Sequence, residues 1–114
     1  MGDSAREQEQ FERELVEVRR RINRVAEDCR RQEYRESSVD GLARVLVGGT
    51  GEVLDIVLPR GFGDLNRPAW ALGDEIDAAA RAIVSAVNAA RSRAAEVAAQ
   101  RFSDEFPFEK GFRG

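Results

Sequence analysis

The stretch GLARVLVGGTGEVLDIVLP, residues 41–59, decides the fold that we predict for this chain. It contains two apolar runs, 42–47 and 52–58, in which the side chains alternate between the two faces of a strand. The segment between the runs, GGTG, is rich in glycine, which reaches the positive φ that a tight hairpin needs. The stretch therefore predicts two antiparallel strands joined by a glycine turn.

A second hairpin signal, Asp40-Gly41, stands just before the first of these runs. It pairs residues 33–39 with the run that follows, and together the segments predict a three-stranded antiparallel meander. Both faces of the last strand carry apolar residues, with Val53 on one face and Ile56 on the other. We therefore expect a sheet that is covered on both sides.

The residues before the meander, from about Ser4 to Tyr34, follow one long helical pattern. Ser4 is the expected N-cap, with Glu7 as its capping-box partner. The apolar residues are separated alternately by four and three positions, which is an a/d heptad stripe: Phe11, Leu15, Val18, Ile22, Val25 and Cys29. The stripe is narrow, and its partner is either the C-terminal helix of the same chain or a helix of another chain; both alternatives stay open.

Charge changes sign along this predicted helix, which is mostly acidic over residues 1–18 and mostly basic over residues 19–35. Arginine holds phosphate bidentately, so the basic half is a candidate for contact with a nucleic-acid backbone. The alternative is a solvated face with i,i+4 ion pairs, such as Glu17 with Arg21, and the residue pattern alone favours it.

The heptad register sorts the candidate DNA-binding arginines by direction. With Leu15 and Ile22 at position a, three of them fall at the outward positions f and c, free to meet phosphates, and two flank the stripe at e and g, where bridging an acidic neighbour is expected. The outward residues are Arg20, Arg24 and Arg31, the flanking ones are Arg19 and Arg21, and Arg30 completes the candidate set.

After the strands, RGFGDLNRP at residues 60–68 predicts a loop, and an alanine-rich helix follows from about Ala71 to Phe102. Gly73 suggests a kink near the start of this helix, and we expect Trp70 to close the junction between sheet and helix. We divide the chain into a single domain, residues 1–102, and a flexible C-terminal tail, residues 103–114.

Composition narrows the function classes. The formal net charge of −3 argues against a uniformly basic nucleic-acid binder but allows a local basic patch. Histidine is absent, and no nucleophile motif or metal-spaced cluster stands out, so we expect no enzyme activity, cofactor or metal. A single cysteine, no membrane-length apolar run and no signal peptide together predict a cytoplasmic protein that does not contact a membrane.

The order of elements and the local motifs resemble the YbaB/EbfC family of bacterial nucleoid-associated proteins over roughly residues 11–102. The most specific part is DGLARVLVGGTGEVLDIVL at residues 40–58, and AIVSAVNAARSRAAEVAAQR at residues 82–101 is a second match. The resemblance implies a homodimer with projecting helices, located at the nucleoid, that binds double-stranded DNA with little sequence preference. Pro59-Arg60 departs from the family, which usually has Asp-Pro there.

The sequence thus predicts an α+β fold of order α-β-β-β-α, in which a three-stranded antiparallel sheet lies between two long helices of a homodimer. Helices of about 30 residues extend about 45 Å and outrun strands of about 20 Å, which is a physical reason for dimerisation that is independent of the family. The second function class is a non-enzymatic interaction or adaptor protein, for example one associated with type VII secretion, whose helices hold a protein partner.

Overall fold

A computed structural model of the chain describes residues 2–106, with side chains from residue 4 onward. The elements are α1 (Gly2–Arg31), β1 (Glu33–Ser37), β2 (Arg44–Gly48), β3 (Val53–Val57) and α2 (Ala69–Glu105). The strands form one antiparallel sheet in the order β1-β2-β3, so the predicted α-β-β-β-α fold is confirmed. Of the predicted tail, residues 103–105 belong to α2, and residues 107–114 lie outside the described residues.

The helices differ from the prediction at their ends. α1 already includes Gly2, so Ser4 lies inside the helix and the prediction of Ser4 as N-cap is wrong. Tyr34 lies in β1 rather than at the end of α1, because its ring is buried in the core. α2 runs through Gly73 as one continuous helix. Trp70 is 74% exposed, so it does not close the junction as expected.

The core lies between the sheet and one face of α2. Ala86, Ala90 and Ala94 stand four residues apart on that face, and they pack against Val45 and Val47 of β2. Small side chains let the helix approach the strands closely, and both valines are almost fully buried. A helix about 10 Å wide spans about two strands at a spacing of about 4.8 Å. α2 accordingly packs on β1 and β2.

β3 is left exposed along its whole length. Its register against β2 shifts between Leu46 and Val47, so that Val53 lies opposite Val47 while Leu54 is the extra residue of a bulge. Directly opposed residues share a face, so Val53 lies on the α2 side of the sheet together with Ile56. The prediction that these two residues face opposite ways is therefore wrong. α2 covers one side of the sheet. That the other side is covered in a dimer stays a prediction.

The glycine turn between β2 and β3 connects the sheet to both helices. Gly51 adopts a φ of 88° and donates its N–H to the Gly48 carbonyl at 2.9 Å, as a tight hairpin requires. Arg91 of α2 donates its Nε–H to the Gly51 carbonyl at 2.8 Å. A Cβ on Gly49 would lie 1.8 Å from the Cys29 carbonyl oxygen of α1. The hairpin turn between β2 and β3 therefore packs directly against the C-terminal end of α1.

The turn between β1 and β2 is closed by side-chain hydrogen bonds. The Asp40 carboxylate accepts the Ser38 hydroxyl at 2.6 Å and the Leu42 N–H at 3.1 Å. These bonds favour the ionised form and lower the pKa of Asp40 below its usual value, with the Ser38 bond as the largest cause. Gly41 supplies the positive φ of 75° that the predicted Asp-Gly signal requires.

We expect Gly49→Ala to destabilise the fold by about 1–3 kcal/mol, because the added methyl group must displace the backbone of α1. Gly48→Ala is the matched control, since its Cβ would make only ordinary contacts, the nearest at 3.5 Å to Leu54. Chemical denaturation followed by circular dichroism measures both variants. Equal denaturation midpoints for the Gly49 and Gly48 variants would show that close packing of this turn against α1 does not contribute to stability.

Candidate nucleic-acid interface

Among the residues that the structure describes, α1 is attached to the rest of the chain only through its C-terminal half. Val25 and Cys29 are buried, whereas every residue from 4 to 20 is exposed. Arg101 of α2 donates to the Asp28 carboxylate at 3.4 Å, which adds an ion pair to this attachment. The N-terminal half of α1 therefore projects from the body, and the molecule measures 84 × 29 × 16 Å. Packing on the chain's own C-terminal helix thus covers only part of the predicted stripe.

Arg21 has a structural role at this junction. It donates from Nε to the Glu105 carboxylate at 2.9 Å and from Nη2 to the Glu105 carbonyl oxygen at 2.8 Å. Its guanidinium also lies over the Phe106 ring, 4.9 Å from the centroid. The expectation that Arg21 bridges an acidic neighbour is confirmed, but the neighbour is Glu105. Glu17 pairs with Arg20 instead, at 3.3 Å.

The other flanking arginine and the outward ones remain on the surface of α1. Arg19 and Arg24 are exposed and form no ion pair within residues 4–106. Arg31 pairs with Glu27 at 3.6 Å, and Arg30 pairs with the same carboxylate at 3.2 Å. Arg20 and Arg31 are therefore not free as expected, although both stay largely exposed.

The ion pairs of Arg20 and Arg31 with acids of the same helix are weak, so they hinder phosphate binding only slightly. The side chains of Arg20 and Arg31 are 63% and 71% exposed, and pairs in such positions contribute about 0–1 kcal/mol. Because α1 advances about 100° per residue, Arg20, Arg24 and Arg31 lie within about 40° of one another around the helix axis. The structure thus brings the three outward arginines together as one row, here called the arginine row.

Two further arginines lie on the open face of the sheet, opposite α2. Arg35 stands beside Leu46, and Arg44 stands beside Val57 in the strand register. With Asp55 they line a shallow groove of about 150 Å³. In the sequence, Arg35 falls both in the basic segment 19–35 and in the predicted strand 33–39; α1 ends at Arg31, so Arg35 belongs to β1.

Comparison with models of known protein families shows to which family the chain belongs. The model of the YbaB/EbfC DNA-binding family matches residues 5–105, nearly the whole chain. The chain therefore belongs to the YbaB/EbfC DNA-binding family, whose members are nucleoid-associated proteins. No curated protein matches it individually. Within residues 2–106, neither helix combines the length and the apolar character that a membrane span requires.

We expect Arg21→Gln to lower the free energy of unfolding by about 1 kcal/mol, because it removes the charged contact with Glu105 at a half-exposed position. Arg24→Gln, on the same helix without an ion pair in the described chain, is the matched control and should change stability by only a few tenths of a kcal/mol. Urea titration measures both. A loss as large for Arg24 as for Arg21 would contradict the structural role of Arg21.

Proposed function

We propose that this protein is a sequence-tolerant, double-stranded-DNA-binding homodimer of the nucleoid, and hence of the cytoplasm. The observation that carries the proposal is the arginine row on the exposed face of α1 in a chain that belongs to a DNA-binding family. The residues proposed to contact phosphate are Arg20, Arg24 and Arg31, with Arg19 and Arg30 beside them; Arg21 contributes charge while it holds α2.

The chemistry of the arginine row favours phosphate contact without base readout. Contacts to phosphate position a protein on the duplex but carry no sequence information directly. Arg20 and Arg31 must exchange Glu17 and Glu27 for phosphate, which makes the binding weaker than an unpaired row would give. Each phosphate neutralised contributes about 0.9 to the salt slope on B-DNA. We infer weak, strongly salt-dependent binding with little preference among duplexes.

The homodimer is supported by the uncovered strand β3. Val53, Leu54, Ile56 and Val57 are each between 39% and 51% exposed. Val53 and Ile56 lie on the α2 side and Val57 on the open face, so both faces expose apolar residues at this edge. A two-fold axis beside this strand would let each copy cover the surface of the other. The Asp55 carboxylate already accepts the Ile56 N–H at 3.0 Å. We therefore infer that the dimer contact rests on side chains more than on added backbone hydrogen bonds.

Replacing Arg20, Arg24 and Arg31 together by glutamine should weaken binding to unrelated duplexes by similar factors and flatten the salt slope, because phosphate contacts are lost twice per dimer. Fluorescence anisotropy over a range of salt concentrations measures both effects. The matched control replaces Arg6, Arg60 and Arg81 by glutamine. It removes the same charge outside the arginine row and should retain most of the DNA affinity.

Two results would contradict this assignment. If the variant of the arginine row binds DNA as tightly as the parent, these arginines only form a solvated helix face and do not contact phosphate. If the parent protein binds no duplex even at low salt, the interaction or adaptor function becomes the better proposal, since α1 also exposes apolar residues such as Phe11 and Leu15.

We expect Ile56→Asp to dissociate the dimer contact through β3, because it places a charge in a surface that the second copy would desolvate. Val39→Asp is the matched control, since Val39 is fully exposed in the turn between β1 and β2. Sedimentation at micromolar concentration should show a smaller assembly for the Ile56 variant only. An unchanged mass for both variants would place the dimer contact elsewhere.

A further inference from the structure

The projecting half of α1 carries an apolar stripe that nothing in the described chain covers. Phe11, Leu15, Val18 and Ile22 are 59%, 46%, 36% and 42% exposed. The ion pairs between α1 and α2 are at Arg21 and Asp28, and every residue from 4 to 20 is exposed. Most of the stability of a helix in a protein comes from packing of its apolar face, and a partner along the stripe would supply that packing.

We propose that this stripe pairs in antiparallel orientation with the same stripe of a second copy of the chain. In the antiparallel arrangement position a packs against position d of the other helix, so Leu15 meets Val18 of the second copy, and Phe11 meets its Ile22. The contact has four such layers over a length of about 16 Å, given 1.5 Å per residue. The stripe is therefore complementary to itself in size and spacing.

Charge selects this partner and this orientation. Antiparallel helices bring equal flanks together, so Glu12 at position e faces Arg19 of the second copy, and Glu14 at position g faces its Arg21. All four charge pairs produced by the two-fold axis are attractive. A parallel pair would instead set Glu7 against Glu12 and align the two acidic halves. Since Arg21 is held by Glu105, the Glu12–Arg19 pair carries most of this selection.

The pairing leaves room for both contacts of the proposed function and does not depend on them. The arginine row occupies positions f and c, which point away from the stripe. The β3 surface lies on the sheet, whereas the paired segment lies on the projecting half of α1. A chain with two different two-fold contacts joins dimers into longer assemblies. Self-association through α1 would thus link neighbouring DNA-binding dimers.

A charge exchange tests the proposal without altering the apolar residues. Glu12→Arg sets like charges against Arg19 of the second copy, and Arg19→Glu does the same with Glu12; each should weaken association through α1 by about tenfold or more. The double variant Glu12→Arg/Arg19→Glu restores attraction and should restore association. In a parallel pair Glu12→Arg would face Glu7 and strengthen association, so a loss with Glu12→Arg alone, followed by recovery in the double variant, identifies the antiparallel orientation.

Sedimentation of the DNA-free protein at low salt is the measurement, with circular dichroism to check that α1 stays helical. We expect the parent to exceed a dimer, Glu12→Arg and Ile56→Asp each to reduce it to a dimer, and the two together to give a monomer. A parent assembly that Glu12→Arg leaves unchanged overturns pairing through α1. A dimer that Glu12→Arg dissociates and Ile56→Asp does not would support pairing through α1 and overturn the β3 contact.

Discussion

The packing of α2 on the sheet is the constraint on which the rest of the structure depends. Alanine at four-residue intervals lets α2 lie close to β2, where Val47 and Ala90 have no measurable exposure. The same closeness limits the width that one helix covers to about two strands. β3 consequently keeps its apolar residues in solvent, and one chain by itself has a small core. The exposed strand is thus a direct result of the packing that holds the sheet.

The position of α1 depends indirectly on the same packing, because α1 is held by α2 and by a turn of the sheet. Its ion pairs with α2 lie near the end of that helix, at Arg21 and Asp28, and it contacts the sheet through the turn at Gly49. These contacts fix the direction of α1 but cover only Val25 and Cys29 of its stripe. The heptad register then gives different positions around α1 separate uses. Positions e and g carry complementary charges, while positions f and c carry the arginine row.

Much of the fold follows from local patterns in the sequence. The three strands are predicted by period-two alternation and two turn signals, because the positive φ values at Gly41 and Gly51 are local requirements. That Val45 and Val47 share one face of β2 follows as well, and this is the face that packs on α2. The heptad spacing likewise predicts α1, although not its ends. These features depend on neighbouring residues, which the sequence shows directly.

The remaining features depend on contacts between distant residues. The alternation in VLDIV is regular, yet pairing with β2 makes Leu54 a bulge and turns Val53 to the α2 side. Arg21 meets Glu105 across 84 positions, although Glu17 stands four residues away in the sequence. At the candidate site, the helical period predicts that the outward arginines share a face, but the pairing of Arg20 with Glu17 depends on which side-chain conformers the helix adopts.

The negative net charge is compatible with DNA contact because the charges are separated along α1. Phosphate contact depends on charges within about one Debye length, about 8–10 Å at physiological salt. Arg24 and Arg31 lie about 10 Å or more along the helix from Glu17 and the acidic half before it. The acids of α1 that lie nearer, Glu27 and Asp28, are already paired with arginines. Antiparallel pairing of α1 would overlap only residues 11–22, so Arg20 would feel the acids of the second copy more than Arg24 or Arg31. Charge separation along one helix thus lets self-association use residues 11–22 while Arg24 and Arg31 of the arginine row stay outside the paired segment.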